Sequence, residues 1–278
     1  MDGSGTISHS FVEPSNLLMT LDSIRYWRSS ISVDDPVVIL PVAAFEQHGP
    51  HLPLSTDVDI GHGLLVEAFR RLDPTCPAWA LPMQTIGASL EHTRFIGTES
   101  ISAAQMVENV YKAGYEVASS GVRRLVISNS HGGNEASIAT AALRLRAERD
   151  LLVVKANYYG FTAPDDFVLP ESEWRHGLHG GAAETAMMLH LCPDKVRTDR
   201  IKRFQSIGEH LHRRGSRIAP TGPAAFAWLA GDLNTVGAVG DATIATTAIG
   251  RQLVSHYGRI LSEIIRDTLL FPIELLTT

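Results

Sequence analysis

The segment Glu46-Gln47-His48-Gly49-Pro50-His51-Leu52-Pro53-Leu54-Ser55-Thr56-Asp57 places two carboxylates and two imidazoles close together. In an extended chain Glu46 and His48 project to the same side, and a turn at Gly49-Pro50 brings Asp57 back toward them. Carboxylate oxygen and imidazole nitrogen are donors that Zn²⁺ or Mn²⁺ accepts without a thiolate. Taken singly, these residues suit ordinary turns, with Asp57 as a helix cap. Taken together, they read as metal ligands.

Two further loops repeat the chemistry. In Ser128-Asn129-Ser130-His131-Gly132-Gly133-Asn134 the histidine falls at the end of a strand. Gly132 and Gly133 would let backbone amides approach a substrate or developing oxyanion at a helix N-terminus. The alternative is a tight turn capped by Asn134. In His176-Gly177-Leu178-His179-Gly180-Gly181-Ala182-Ala183-Glu184-Thr185, Glu184 sits on a first helical turn, where the macrodipole favours a carboxylate in any case. A buried Glu184 would complete a donor set of Glu46, His48, Asp57, His131 and Glu184. That set exceeds the needs of one tetrahedral zinc and suits two divalent ions sharing a carboxylate, with water between them. Tyr158 and Trp174 are candidate substrate-binding aromatics, although aromatics near glycine loops also serve as core.

Alternating strands and helices must position these loops. The apolar run Pro36–Val42 reads as a buried strand, and residues 58–72 carry a helical stripe. Ser102 with Gln105 resembles a capping box. Strands are expected at 125–128 and 151–154, and helices over 138–145, 182–191 and 243–266. The pattern predicts a single α/β domain over residues 1–278, with a mostly parallel central sheet covered on both faces and a flexible segment over 1–16. Ligands gather at the carboxyl ends of such strands, where the three loops fall.

Composition narrows the class. A net charge of −6 over 278 residues argues against a nucleic-acid partner. No apolar run suits a membrane span and no secretory leader is visible. Two cysteines without a CxxC fit a reducing, cytoplasmic setting. Gly61-His62-Gly63 lacks the third glycine of a dinucleotide fingerprint. The basic run 210–217 is either an anion contact or an exposed segment, and Leu269–Ile273 is a candidate contact with a second copy.

These motifs resemble the creatininase family of metal-dependent amidohydrolases, from about Val37 to Ile265. The resemblance rests on Glu46–Pro53 through Asp57, Glu91-His92 with Gly97-Thr98, His131–Asn134, and His179 with Glu184-Thr185. It implies a layered α/β fold, a binuclear centre with Asp57 as the bridge, hydrolysis of a small amide-type substrate, and a homo-oligomer, with a hexamer favoured. Zinc is the expected metal, with manganese or iron as alternatives. One departure stands out: creatininase has a metal-binding Glu at the position of Gly133. Glu184 is then the replacement donor, and creatinine is a poor candidate substrate. Other branches include formamide hydrolases and a peptidase of mycofactocin maturation, so trimming of a precursor peptide is the rival activity; a non-catalytic metal-holding protein is the rival class. A leaving nitrogen needs a general acid; His179 is the first choice, with His176 and His51 behind it.

Overall fold

The computed structural model describes residues 35–164 and 169–276, so the segment 1–16 lies outside the described residues. Val37–Val42 (β1) is buried along its whole length. It shares a sheet with Ala78–Ala80 (β2), Arg124–Asn129 (β3) and Leu152–Asn157 (β4), in the order β2-β1-β3-β4 and all parallel. Parallel strands need crossovers, which are supplied by the helices Thr56–Arg71 (α1), Ala103–Ser119 (α2) and Glu135–Arg149 (α3). Pro41 sits inside this central strand. Its carbonyl accepts from Gln84 N–H beyond the end of β2, so its missing donor falls where no ladder partner remains.

Side-chain alternation along β1 builds two cores. Val38, Leu40 and Val42 face one way, with Leu125 and Ile127, onto Met106, Val110 and Val117 of α2 and Ile138, Ala141 and Leu145 of α3. Val37 and Ile39 face the other way, with Val126, onto Leu65, Ala68 and Phe69 of α1. Three short elements, Glu171–His176 (α4), Ala182–Leu191 (α5) and the two-stranded ribbon of Arg203–Phe204 (β5) and Gly240–Asp241 (β6), follow the sheet. Ile207–Arg213 (α6) and the single turn Ala230–Leu233 (α7) lie between the ribbon strands. The long Thr247–Leu270 (α8) adds Leu261 and Ile265 to the second core and packs Leu253, Val254 and Tyr257 against Met187 and Met188 of α5. The result is the layered α/β/α architecture expected from the sequence.

Some boundaries differ. Ser102 accepts from Gln105 N–H at 3.2 Å and starts α2 as expected. β2, three residues long, is too short to show a pattern in sequence. The last helix begins at Thr247, because Thr246 caps it by accepting from Ile249 N–H, and residues 242–244 form a separate tight turn. Among the described residues no helix is long and apolar enough to cross a membrane, and Cys76 and Cys192 are free thiols.

Gly250 lets α8 approach α5 closely: a Cβ there would run into the Ala186 carbonyl. Helix propensity alone would make Gly250→Ala stabilising by about 1 kcal/mol. The steric cost of overpacking, about 1–3 kcal/mol, outweighs it. Gly250→Ala should therefore lower the Tm by a few degrees in a thermal melt, and an unchanged or higher Tm would contradict this packing.

Candidate metal centre

The carboxyl edge of the sheet assembles the site. β1 ends at Val42 and leads to Glu46, β3 ends at Asn129 just before His131, and β4 ends at Asn157 before Tyr158. The 46–57 loop doubles back, with Glu46 N–H donating to Leu54 O at 3.0 Å. Gly49 takes φ +75° in this reversal, a conformation that side chains other than glycine rarely adopt. α1 begins at Thr56, so Asp57 stands in its first turn and faces back into the loops. Ser55, not Asp57, holds the N-cap position, with its hydroxyl donating to Asp59. Asn134 does not cap α3 with its side chain either. Its Oδ1 accepts from Ala88 N–H at 2.9 Å and its Nδ2 donates to Ala43 O at 3.1 Å, tying the loops after β1, β2 and β3 together.

The acidic and imidazole groups converge. Asp57 lies between two rings, with Oδ1 3.2 Å from His48 Nε2 and Oδ2 3.4 Å from His131 Nδ1. Glu46 Oε1 is 3.2 Å from His131 Nδ1, and Glu184 Oε2 is 4.0 Å from His48 Nε2. Two donors each about 2.1 Å from one tetrahedral ion lie about 3.4 Å apart, so these separations are those of atoms that can share a cation. Both oxygens of Glu46, Asp57 Oδ2 and His48 Nε2 are buried without a hydrogen-bond partner. Glu46 and His48 are 0% exposed and Asp57 2%. Buried polar atoms are normally satisfied; orphans concentrated at one point fit a metal ion.

Backbone carbonyls orient the rings. A carbonyl only accepts, so His48 Nδ1–H donates to Glu46 O (3.0 Å) and His131 Nε2–H donates to Ala88 O (3.2 Å). The lone pairs of His48 Nε2 and His131 Nδ1 are left pointing at the carboxylates. Outer partners of this kind are what metal-binding histidines carry.

The electrostatics match a site that lacks positive charge. Burial would lower the His48 pKa, but Asp57, with Glu184 and Glu46 behind it, pushes it up to about 10. Burial opposes charge on His131 too, yet Glu46 and Asp57 raise it well above its ordinary value. Burial disfavours the Glu46 carboxylate, and His131, His92 and His179 nevertheless hold its pKa well below the usual range. Glu184 is raised by burial and by Asp57, against His48. Without metal, protons supply the positive charge this cluster requires.

His179 stands at the edge of the donors. Its Nε2–H donates to Gln47 O at 2.7 Å, its Nδ1 is 3.7 Å from Glu46 Oε1, and its ring lies 4.0 Å from His48 and 4.1 Å from His92. Burial and those two rings keep it neutral, with a pKa well below its ordinary value. Its loop is fixed by Val239 N–H donating to His179 O at 2.8 Å.

A cavity of about 920 Å³ opens over these groups and is lined by Glu46, Asp57, His131, His179 and Glu184. Gly132, Gly133, Tyr158 and Trp174 line it as well. Tyr158 is buried, and its hydroxyl donates to Glu184 Oε1 at 3.3 Å. The other proton-transfer candidates do not line the cavity. His51 is wholly buried, with Nε2 2.9 Å from Thr185 Oγ1 and its ring stacked on Phe204, while His176 lies beside His212. The basic run 210–217 is also absent from the lining; it falls on the exposed end of α6 and the turn after it. Glu91, His92 and Glu173 line the cavity and were not recognised from sequence as site residues. The pairing Glu91-His92 was a signal that could have found two of them. Glu173 accepts from Ala182 N–H and Asp241 N–H, contacts that no local pattern announces.

Comparison with known proteins agrees with this geometry. Residues 27–265 match the creatininase family model, described as creatinine amidohydrolase. The mycofactocin precursor peptide peptidase of Mycolicibacterium smegmatis is 35% identical over 225 residues, covering 80% of this chain and 81% of that protein. The creatinine amidohydrolase of Pseudomonas putida is 30% identical over 193 residues, 64% of this chain and 72% of that one. A solved creatininase in its manganese form superposes with a TM-score of 0.72 at 25% identity, covering 93% of this chain and 99% of the other. Fold, converging donors and matched length lead to one assignment: the chain belongs to the creatininase family and is a metal-dependent amidohydrolase.

Proposed function

We propose that the chain hydrolyses a carbon–nitrogen amide bond of a small substrate with two divalent ions, zinc being preferred. The observation that carries this reading is the division of the donors into two sets around Asp57. One set is His131 Nδ1, Glu46 Oε1 and Asp57 Oδ2; the other is His48 Nε2, Glu184 Oε2 and Asp57 Oδ1. Three protein ligands per ion leave a position open for water and substrate. A pair of ions held there would lower the pKa of water toward about 7 and polarise a carbonyl.

The chain's own groups then manage the proton. His179 is neutral, and its Nε2–H is committed to Gln47 O, so Nδ1 is the atom facing the cavity. That nitrogen takes a proton from the attacking water and delivers it to the leaving nitrogen, which cannot depart as an anion. Tyr158 holds Glu184 from behind. Gly132, which has open space where its Cβ would be, and Gly133 form the floor beneath the substrate, and the half-exposed Trp174 stands at the rim.

A second reading, release of a terminal segment from a short peptide, is favoured by the cavity. Its volume of about 920 Å³ is near the upper end of small-ligand pockets and larger than a single lactam ring requires. Peptidases are also among the most similar relatives. Assembly with further copies of this chain is supported by the apolar side chains left in solvent: Ile96 is 100% exposed and Leu270 78%. A monomeric mass by light scattering would contradict it.

Three outcomes test the proposal. Purified with zinc, the chain should bind two equivalents and turn over at least one compound among lactams, formamides and short peptides; metal without turnover would favour a non-catalytic role. Glu184→Ala should lose one equivalent by elemental analysis and Asp57→Ala both, whereas His179→Ala should keep both and lose about 10²–10⁴-fold in kcat. Loss of metal in His179→Ala would make that residue a ligand instead.

Affinity should also depend on pH with a definite sign. His48 is protonated in the metal-free site below about 10, so zinc must displace that proton. Binding then strengthens about tenfold per pH unit for each proton released, giving roughly 100-fold between pH 6 and 8 from His48 alone. A pH-independent affinity in chelator competition would contradict the charge balance described above.

A further inference from the structure

Gly133 has no side chain at a crowded point. A Cβ there would meet His131 Nε2, would stand 2.5 Å from the Ala88 carbonyl oxygen, and would stand 2.5 Å from Glu91 Oε1. The space that a residue 133 side chain would need is therefore occupied by the Glu91 carboxylate, delivered from the tight turn Leu90–His92. Glu91 Oε1 lies 3.6 Å from His131 Nε2, and His131 is its one ion-pair partner among the described residues.

The two faces of the His131 ring are distinct. Nε2 carries its proton toward Ala88 O at 3.2 Å, with Ser89 Oγ at 3.3 Å and Glu91 just beyond. Nδ1 faces Glu46 and Asp57, whose orphaned oxygens mark where the cation belongs. Glu91 thus approaches the ring from its Nε2 side, while one ligand atom each of Glu91, Glu46 and His131 lie within 4.8 Å of one another.

We infer that Glu91 is a positioning residue for the metal centre. Admitted by Gly133, it stands behind His131 and, with the Ala88 carbonyl, keeps the ring's proton on Nε2 and the donor lone pair on Nδ1. A carboxylate behind a ligating imidazole also makes the ligand more basic, and removing such a partner typically weakens metal binding 10–100-fold. This inference rests on the reading that His131 holds a metal ion, and it adds a residue outside the five-donor set.

Zinc affinity, measured by chelator competition on the full chain, tests it. Glu91→Ala should weaken one of the two zinc sites about 10–100-fold, while the metal-free protein melts at the same or a higher temperature, since a partly buried acid beside Glu46 and Asp57 has been removed. Glu91→Gln, which keeps a carbonyl oxygen facing Nε2–H, should recover most of the loss. Wild-type affinity in Glu91→Ala would overturn the inference. Equal losses in Glu91→Gln and Glu91→Ala would overturn it in favour of direct ligation. A wild-type chain that takes up no zinc would instead defeat the metal reading beneath it.

Discussion

The structure depends on an electrostatic debt at the carboxyl edge of its sheet. Glu46 and Asp57 are carboxylates with almost no access to water, and three of their four oxygens, both of Glu46 and Oδ2 of Asp57, find no hydrogen-bond donor. Isolated ions in a protein interior cost several kcal/mol each unless an opposite charge is close and well placed. The surrounding imidazoles supply that charge only by holding protons they would otherwise release. Divalent cations provide the same charge in less volume, and they leave the imidazole lone pairs as donors rather than as sites of protonation. Fold and chemistry meet at this requirement.

The scaffold meets it with rigid parts. Parallel strands end together, so the segments that follow β1, β3 and β4 emerge side by side. Asn134 links three of those loops through its amide, and Glu173 links the turn before α5 to β6. Backbone carbonyls of Glu46, Gln47 and Ala88 each take one ring proton from a histidine. Orientation is thus set by groups that no substitution removes, while side chains supply the charge. Ligands held this way need little reorganisation when a cation arrives.

The relatives share this framework and differ in what they act on. A peptidase of precursor peptides and a creatinine amidohydrolase both cover most of the chain. Chains similar to this one over most of its length thus carry names that point to substrates of very different size. Trp174, Trp228 and Tyr159 line the same cavity as the buried donors.

Much of this was legible along the chain because it is local. The unbroken apolar run Pro36–Val42 reflects burial on both faces and the stripes of the long helices burial on one, and Glu46, His48 and Asp57 fall within a single segment whose turn chemistry is written in Gly49-Pro50. β2 is silent in sequence because three residues carry no period, and the cap offered as the alternative role of Asn134 is not made by its side chain, because an amide serves a remote loop as readily as its own helix. Sequence by itself determined the layered fold, the donor types and the loops that bear them, since propensity, burial pattern and turn preference act over a few residues. Only tertiary structure decided that Asp57 stands between His48 and His131, that His179 is neutral while His48 is not, that His51 is walled off, and that Glu91 fills the gap at Gly133. Those properties depend on charges and atoms brought together from distant positions, and Coulomb interactions and steric exclusion follow distance in space, not separation along the chain.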